Sequence, residues 1–150
     1  MKVGLPDKKR CILKRLDKLT KDTKPRWGRM NAAQMLKHLS LDFQSAMGEY
    51  PMQDVSNFIS RQVLKRLILS DIKFPERPGP ETLAEINMAD NNIPYGDFTT
   101  EKQSIINTMN RFIGANKFPD KHPKLGKFTQ EEWYRYAFRH IDYHFNQFGV

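Results

Sequence analysis

The sequence holds a single cysteine, Cys11. That excludes an internal disulfide framework and a multi-cysteine zinc site, and it fits a reducing, cytoplasmic setting. No run of about 18 apolar residues occurs, so no segment reads as a membrane span. The first residues hold no uninterrupted apolar stretch of about 7–15 residues, so no secretory signal is expected there. Valine occurs four times and alternating runs are short, so strand signals are absent. Neither an internal repeat nor a low-complexity tract is present. What remains suffices for a packed domain. The 150 residues are 39% hydrophobic and include 10 Phe, 5 Tyr and 2 Trp, which argues against disorder. The length predicts one domain over residues 1–150.

Charge is unevenly placed. Lys and Arg number 25 against 17 Asp and Glu, a net charge of +8. Met1–Lys24 carries nine cations, from Lys2 to Lys24, and three anions, so it supplies +6 of that excess. A basic balance raises nucleic acid, acidic lipids and anionic substrates as partners. Here the excess sits on one terminal segment without aromatic interleaving, which reads as a solvated helix face.

Apolar periodicity predicts an all-α chain. A first helix is expected over Asp7–Thr20, with Cys11, Ile12, Leu16 and Leu19 on one side. Pro25 marks a connector. A second helix spans Asn31–Met47, with Asn31 as N-cap and Gly48 as stop. A third, over Asp54–Ser70, has a broad apolar face of Phe58, Ile59, Val63, Leu64, Leu67 and Ile68. The chain from Phe74 to Phe98 reads as a long irregular connection with a short helical piece at Glu81–Ile86. Loops of that length often cover a site. A fourth helix is expected over Thr100–Asn116, then a loop to Phe128. Thr129 and Glu132 form a capping box for the last helix, which runs to about Phe148.

Chemistry concentrates in the histidines. His140 and His144 stand one turn apart on the last helix, about 40° apart around its axis, within the stripe that holds Trp133, Ala137 and Phe148. Two imidazoles on a buried face are either hydrogen-bonded core residues or metal ligands. His38 adds a third, on the flank of the second helix's apolar stripe. Three imidazoles from two facing helices suit Zn, Ni, Fe or Cu ions and leave positions for water or substrate. Asp42, one turn after His38, reads as a fourth ligand, an acceptor for an imidazole N–H, or an exposed carboxylate. Asp142 points about 200° away from the pair, which argues against ligation. Tyr136 and Tyr143 line the same side, as packing residues or proton donors. His122, beside Pro123, reads as a turn residue.

Three segments carry a resemblance. They are Trp27-Gly28-Arg29-Met30-Asn31 through His38, then His122-Pro123-Lys124-Leu125-Gly126, and then Trp133 through His140, His144 and Gln147-Phe148-Gly149. With them the chain resembles the DinB/YfiT-like superfamily of metalloenzymes, and within it a family of small bacterial proteins of unknown function. The resemblance implies a four-helix up-down-down-up bundle, often dimeric; the periodicity along the chain adds one short or peripheral helix to the four main ones. It implies a divalent metal ion (Zn, Ni or Fe) on His38, His140 and His144. Some relatives transfer low-molecular-weight thiols such as bacillithiol or mycothiol, or use glutathione-like thiols.

The leading expectation is therefore a metal-dependent hydrolase or thiol transferase acting on a small molecule, with Asp42 and Tyr143 orienting the nucleophile or moving a proton. The alternatives are a non-catalytic nucleic-acid or anion-binding module using the basic first helix, and a structural bundle with core histidines. Apolar positions on the third helix suit a homodimer.

Overall fold

The computed structural model describes residues 4–150; Lys2 of the basic segment lies outside them. The chain is all-α apart from one short hairpin. Helix α1 (Leu5–Leu16) begins after Gly4, in the left-handed region at φ 84°, with a proline in its first turn. It ends earlier than periodicity suggests, and Leu19 stays buried in the turn that follows. Helix α2 (Ala32–Ala46) opens with a reciprocal capping box between Asn31 and Gln34. Asn31 Oδ1 accepts from Gln34 N–H at 2.8 Å, and Gln34 Oε1 accepts from Asn31 N–H at 2.9 Å. Such caps satisfy donors that a helix start leaves orphaned.

The third helical stretch is shorter than its apolar pattern implies. A π-helical turn (Ser60–Leu64) runs into α3 (Lys65–Leu69). Asn57 accepts from Ser60 N–H at 2.9 Å and so starts the helix later than Asp54. The broad apolar face is corrected too. Only Leu64 and Ile68 of it pack on the core, while Phe58, Ile59, Val63 and Leu67 are exposed. A lone 3-10 turn (Ala84–Ile86) interrupts the long connection. Helix α4 (Phe98–Gly114) starts two residues earlier than expected, because Asp97 caps Thr100 N–H at 2.7 Å.

Strands exist despite the absence of strand signals. β1 (Lys121–His122) pairs antiparallel with β2 (Gly126–Lys127), His122 opposite Gly126. Two residues per strand are too few to show alternation, so turn chemistry alone makes the hairpin. Gly126 takes φ 77°, where a side chain is strained. Helix α5 (Gln130–Gln147) opens with the capping box that Thr129 and Glu132 predict.

Helix α2 packs on α4 and α5, and α1 packs on α5 and α4. One core joins them, with Leu16, Met35, Leu39, Phe43, Phe112, Trp133, Ile141 and Phe145 almost fully enclosed. Each such side chain contributes about 1.5–3 kcal/mol by leaving water. No helix among the described residues is long and apolar enough to cross a membrane.

Candidate metal centre

The three sequence-predicted histidines meet where α2 faces α5. His38 and His144 are buried, and the His140 side chain is 18% exposed. His140 Nε2 lies 3.1 Å from His38 Nε2 and 3.0 Å from His144 Nε2. The ligand atoms of the trio all lie within 4.8 Å of one another, so the group could hold a metal ion.

The opposite ring nitrogens fix what these atoms present. His38 Nδ1 is 2.8 Å from the Ile86 carbonyl oxygen. His140 Nδ1 is 2.8 Å from Asp42 Oδ2. His144 Nδ1 is 2.7 Å from Gln147 Oε1, and the amide's orientation is set by Gln147 Nε2, which donates to the Trp27 carbonyl at 2.8 Å. A carbonyl or a carboxylate only accepts, so each Nδ1 carries the hydrogen. Neutral rings then turn three Nε2 lone pairs toward one another. At this spacing they repel unless a positive charge lies among them, either a shared proton or a metal ion. Nitrogens about 2.0–2.1 Å from one ion, at ligand angles between right and tetrahedral, stand about 2.9–3.4 Å apart. The His140–His38 and His140–His144 separations lie in that range, and the chemistry of three free imidazole nitrogens fits a divalent ion.

The electrostatics agree. Burial pushes the pKa of His38 down to about 4, and the charge of His140 adds to the fall. Burial, with His38 and His140, drives His144 well below its ordinary value. Burial raises the Asp42 carboxyl, but the charge and hydrogen bond of His140, with His122 and His38, outweigh it and hold Asp42 below the usual range. Asp42 is therefore an enclosed carboxylate, 6% exposed, which calls for a balancing positive charge beside it, such as the shared proton or metal ion among the imidazoles. Its Oδ1 accepts from the Tyr136 hydroxyl at 3.1 Å. Burial and the Asp42 charge keep that phenol protonated, well above its ordinary pKa.

Local sequence explains how the trio is held. Gly28 takes φ 84°, and a Cβ there would sit 2.5 Å from Gln147 Nε2. Only glycine lets the Trp27 turn close on Gln147 and so orient His144. The Arg26 N–H donates to the Gln147 carbonyl at 2.7 Å, pinning the same turn to the end of α5. Gln147 and the Ile86 carbonyl carry functional positions that side-chain chemistry did not reveal. The i, i+3 spacing of His144 and Gln147 is the signal that points to the first. Nothing local points to the second.

The histidines open on a cavity of about 620 Å³. Tyr143 lines it, but its hydroxyl is fully engaged. It accepts from Trp27 Nε1 at 3.1 Å and Gly79 N–H at 3.0 Å, and donates to the Arg77 carbonyl at 3.0 Å. Asp142 faces away, as its spacing predicts, and pairs there with Arg15 at 2.6 Å. Arg15 also reaches Asn146 Oδ1 and the Val150 carbonyl, so this cation of the basic first helix is spent inside the fold. His122 is not the turn residue its Pro123 neighbour suggests: it ends strand β1, just before the turn, is 3% exposed and lines the cavity.

Fold and site together define a helical protein with a buried three-histidine group that could hold a metal ion. Residues 7–149 match the family described as Protein of unknown function (DUF1569), and the chain belongs to that family. Comparison with curated proteins and with solved structures gave no match.

Proposed function

We propose that this protein is a DinB/YfiT-like metalloenzyme with the four-helix up-down-down-up arrangement, binding Zn, Ni or Fe through His38, His140 and His144. In this reading it is a hydrolase or thiol transferase of the cytoplasm acting on a small molecule in the adjoining cavity. The observation that carries the reading is the tautomer set: three Nδ1–H groups committed to acceptors and three Nε2 lone pairs left convergent. Such a set is costly in an apolar interior without a cation, and it is what metal ligation needs.

The chemistry a divalent ion supplies at such a trio is a bound water or thiol acidic enough to act as a nucleophile at neutral pH. The chain's own residues position. Asp42 orients the His140 ring and balances charge, with Tyr136 holding the carboxylate from its other oxygen. Gln147 orients His144. Tyr143 ties the 77–79 loop to Trp27 beside the cavity, and it moves a proton only if that tie is broken. The exposed face of Phe58, Ile59, Val63 and Leu67 supports reading the third helix as a homodimer contact.

The test is metal analysis of protein purified without a nickel column, on the natural sequence and on His140→Ala and His144→Ala. One ion per chain in the first and loss from both variants is expected. Unchanged metal content in either variant ends the reading.

A further inference from the structure

His122 is buried, titratable and outside the trio. Its Nδ1 accepts from the Lys124 N–H at 3.0 Å and the Leu125 N–H at 3.2 Å. A backbone N–H can only donate, so Nδ1 is bare and the neutral ring carries its hydrogen on Nε2. This is the opposite tautomer to the trio, whose hydrogens are on Nδ1. The ring is clamped: Phe128 and Trp133 lie at centroid distances of 5.1 and 5.4 Å, and Tyr136 meets it edge-on at 4.5 Å. Burial pushes its pKa down to about 4; Asp42 pulls the other way, and His140 and Lys124 add to the fall.

The Nε2–H has no acceptor among the described residues. A buried donor without a partner is costly, because it gives up its hydrogen bond to water and gains none in return. The fully enclosed side-chain polar atoms left without a partner are Ser40 Oγ and Glu101 Oε2, and His122 Nε2 is not one of them. It keeps access to open space, and the open space its ring lines is the cavity shared with His38, His140 and His144. Lys124, two residues on, lines the same cavity, and among the described residues its ammonium donates to the neutral Glu81 carbonyl and pairs with no carboxylate. Arg77 is a further lining cation, while Arg29 and Asp90 neutralise each other. Leu64, Ile68 and Phe74 supply apolar wall.

We propose that His122 is a ligand-binding residue, whose Nε2–H donates to an anionic oxygen of a substrate with an apolar body, the Lys124 ammonium providing the neighbouring charge. A neutral imidazole locked in one tautomer by two backbone donors is a pre-aimed donor that needs no reorganisation when the ligand arrives. A carboxylate on a short hydrocarbon chain is the minimal form of such a ligand. The proposal deepens the metalloenzyme reading by naming its substrate class, but the donor itself requires no ion.

Long-range ¹H–¹⁵N NMR of the full chain, with and without zinc, reads the tautomer directly. An Nε2–H tautomer for His122 in both forms is expected, and an Nδ1–H tautomer overturns the proposal. Hexanoate, with hexanol as the uncharged comparator, is then titrated. Hexanoate should shift the His122 Nε2 resonance, and His122→Asn, which keeps an acceptor for the turn but removes the far donor, should weaken hexanoate at least tenfold and leave hexanol within twofold. Equal hexanoate affinity in His122→Asn, or no effect of hexanoate on Nε2, overturns it. Zinc binding is followed separately by calorimetry. Loss of zinc binding with an intact hexanoate response sinks the metal reading alone, and the reverse sinks only the role of His122.

Discussion

The two sides of the cavity are built in opposite ways. One side is α2 and α5, both opened by reciprocal capping boxes and packed through Met35, Leu39, Trp133 and Ile141, each almost fully enclosed. It carries every histidine of the trio, and each ring is held at its far nitrogen. The other side is the chain from residue 55 to 88, where regular structure shrinks to a π-helical turn, a five-residue helix and one 3-10 turn. Five of its large apolar side chains, Phe58, Ile59, Val63, Leu67 and Ile72, face outward, while Leu64, Ile68, Ile86 and Met88 pack inward. Chemistry that depends on ångström placement rests on the capped, enclosed helices; the irregular side encloses the cavity and contributes a carbonyl at Ile86. A site needs rigid support for its donors, whereas its cover needs only shape.

Breaking the rigid side should cost most. Trp133 is 1% exposed and its Nε1 donates to the Pro119 carbonyl at 2.8 Å. Trp133→Ala should lose about 3–5 kcal/mol of stability in denaturant melts, since the void cannot collapse between capped helices. Asp42→Asn should weaken zinc binding about 10–100-fold by calorimetry with little change in helix content, because the His140 ring loses its charged acceptor. A change under threefold would show that packing alone orients the ring.

Acid attacks the hairpin that borders the same cavity. The folded pKa of His122 is lowered to about 4 from 6.5. The unfolded chain therefore takes up a proton first as pH falls. The stabilisation is fully present above pH 6.5 and is lost as pH drops toward 4. Metal-free protein should be less stable at pH 5 than at pH 7 by about 2 kcal/mol from this residue, measured by denaturant melts. His122→Asn should flatten that slope.

The cover should give least. Ile59 is 70% exposed, and Ile59→Ser should shift the stability of the monomer by less than about 0.5 kcal/mol. If dilution-dependent melts show a larger loss that vanishes at low concentration, the outer face is buried between two copies, and the contrast between the two sides narrows.

Much of the helical frame was legible. Periodicity located the helices, and Thr129 with Glu132 marked the start of α5 to the residue. Apolar pattern misled at the third helix, since periodicity reports that a face is apolar but not that anything covers it. The hairpin at His122 escaped because two-residue strands carry no alternation. For the site, the i, i+4 spacing made His140 and His144 one surface, and the position of Asp142 excluded it. Tyr143 illustrates the opposite limit: its place on the helix was right, while the three bonds that saturate its hydroxyl come from residues 27, 77 and 79.

By itself the sequence determined the helical class, the capped starts of α2 and α5, and the face on which His140 and His144 stand. These follow from local rules, because caps and helical phase involve residues a few positions apart. Only the tertiary structure decided that His38 joins them across 102 positions, that Gly28 lets Gln147 hold His144, and which nitrogen of each imidazole is free. A tautomer is chosen by whatever acceptor or donor the fold brings alongside, and no spacing along the chain encodes that encounter.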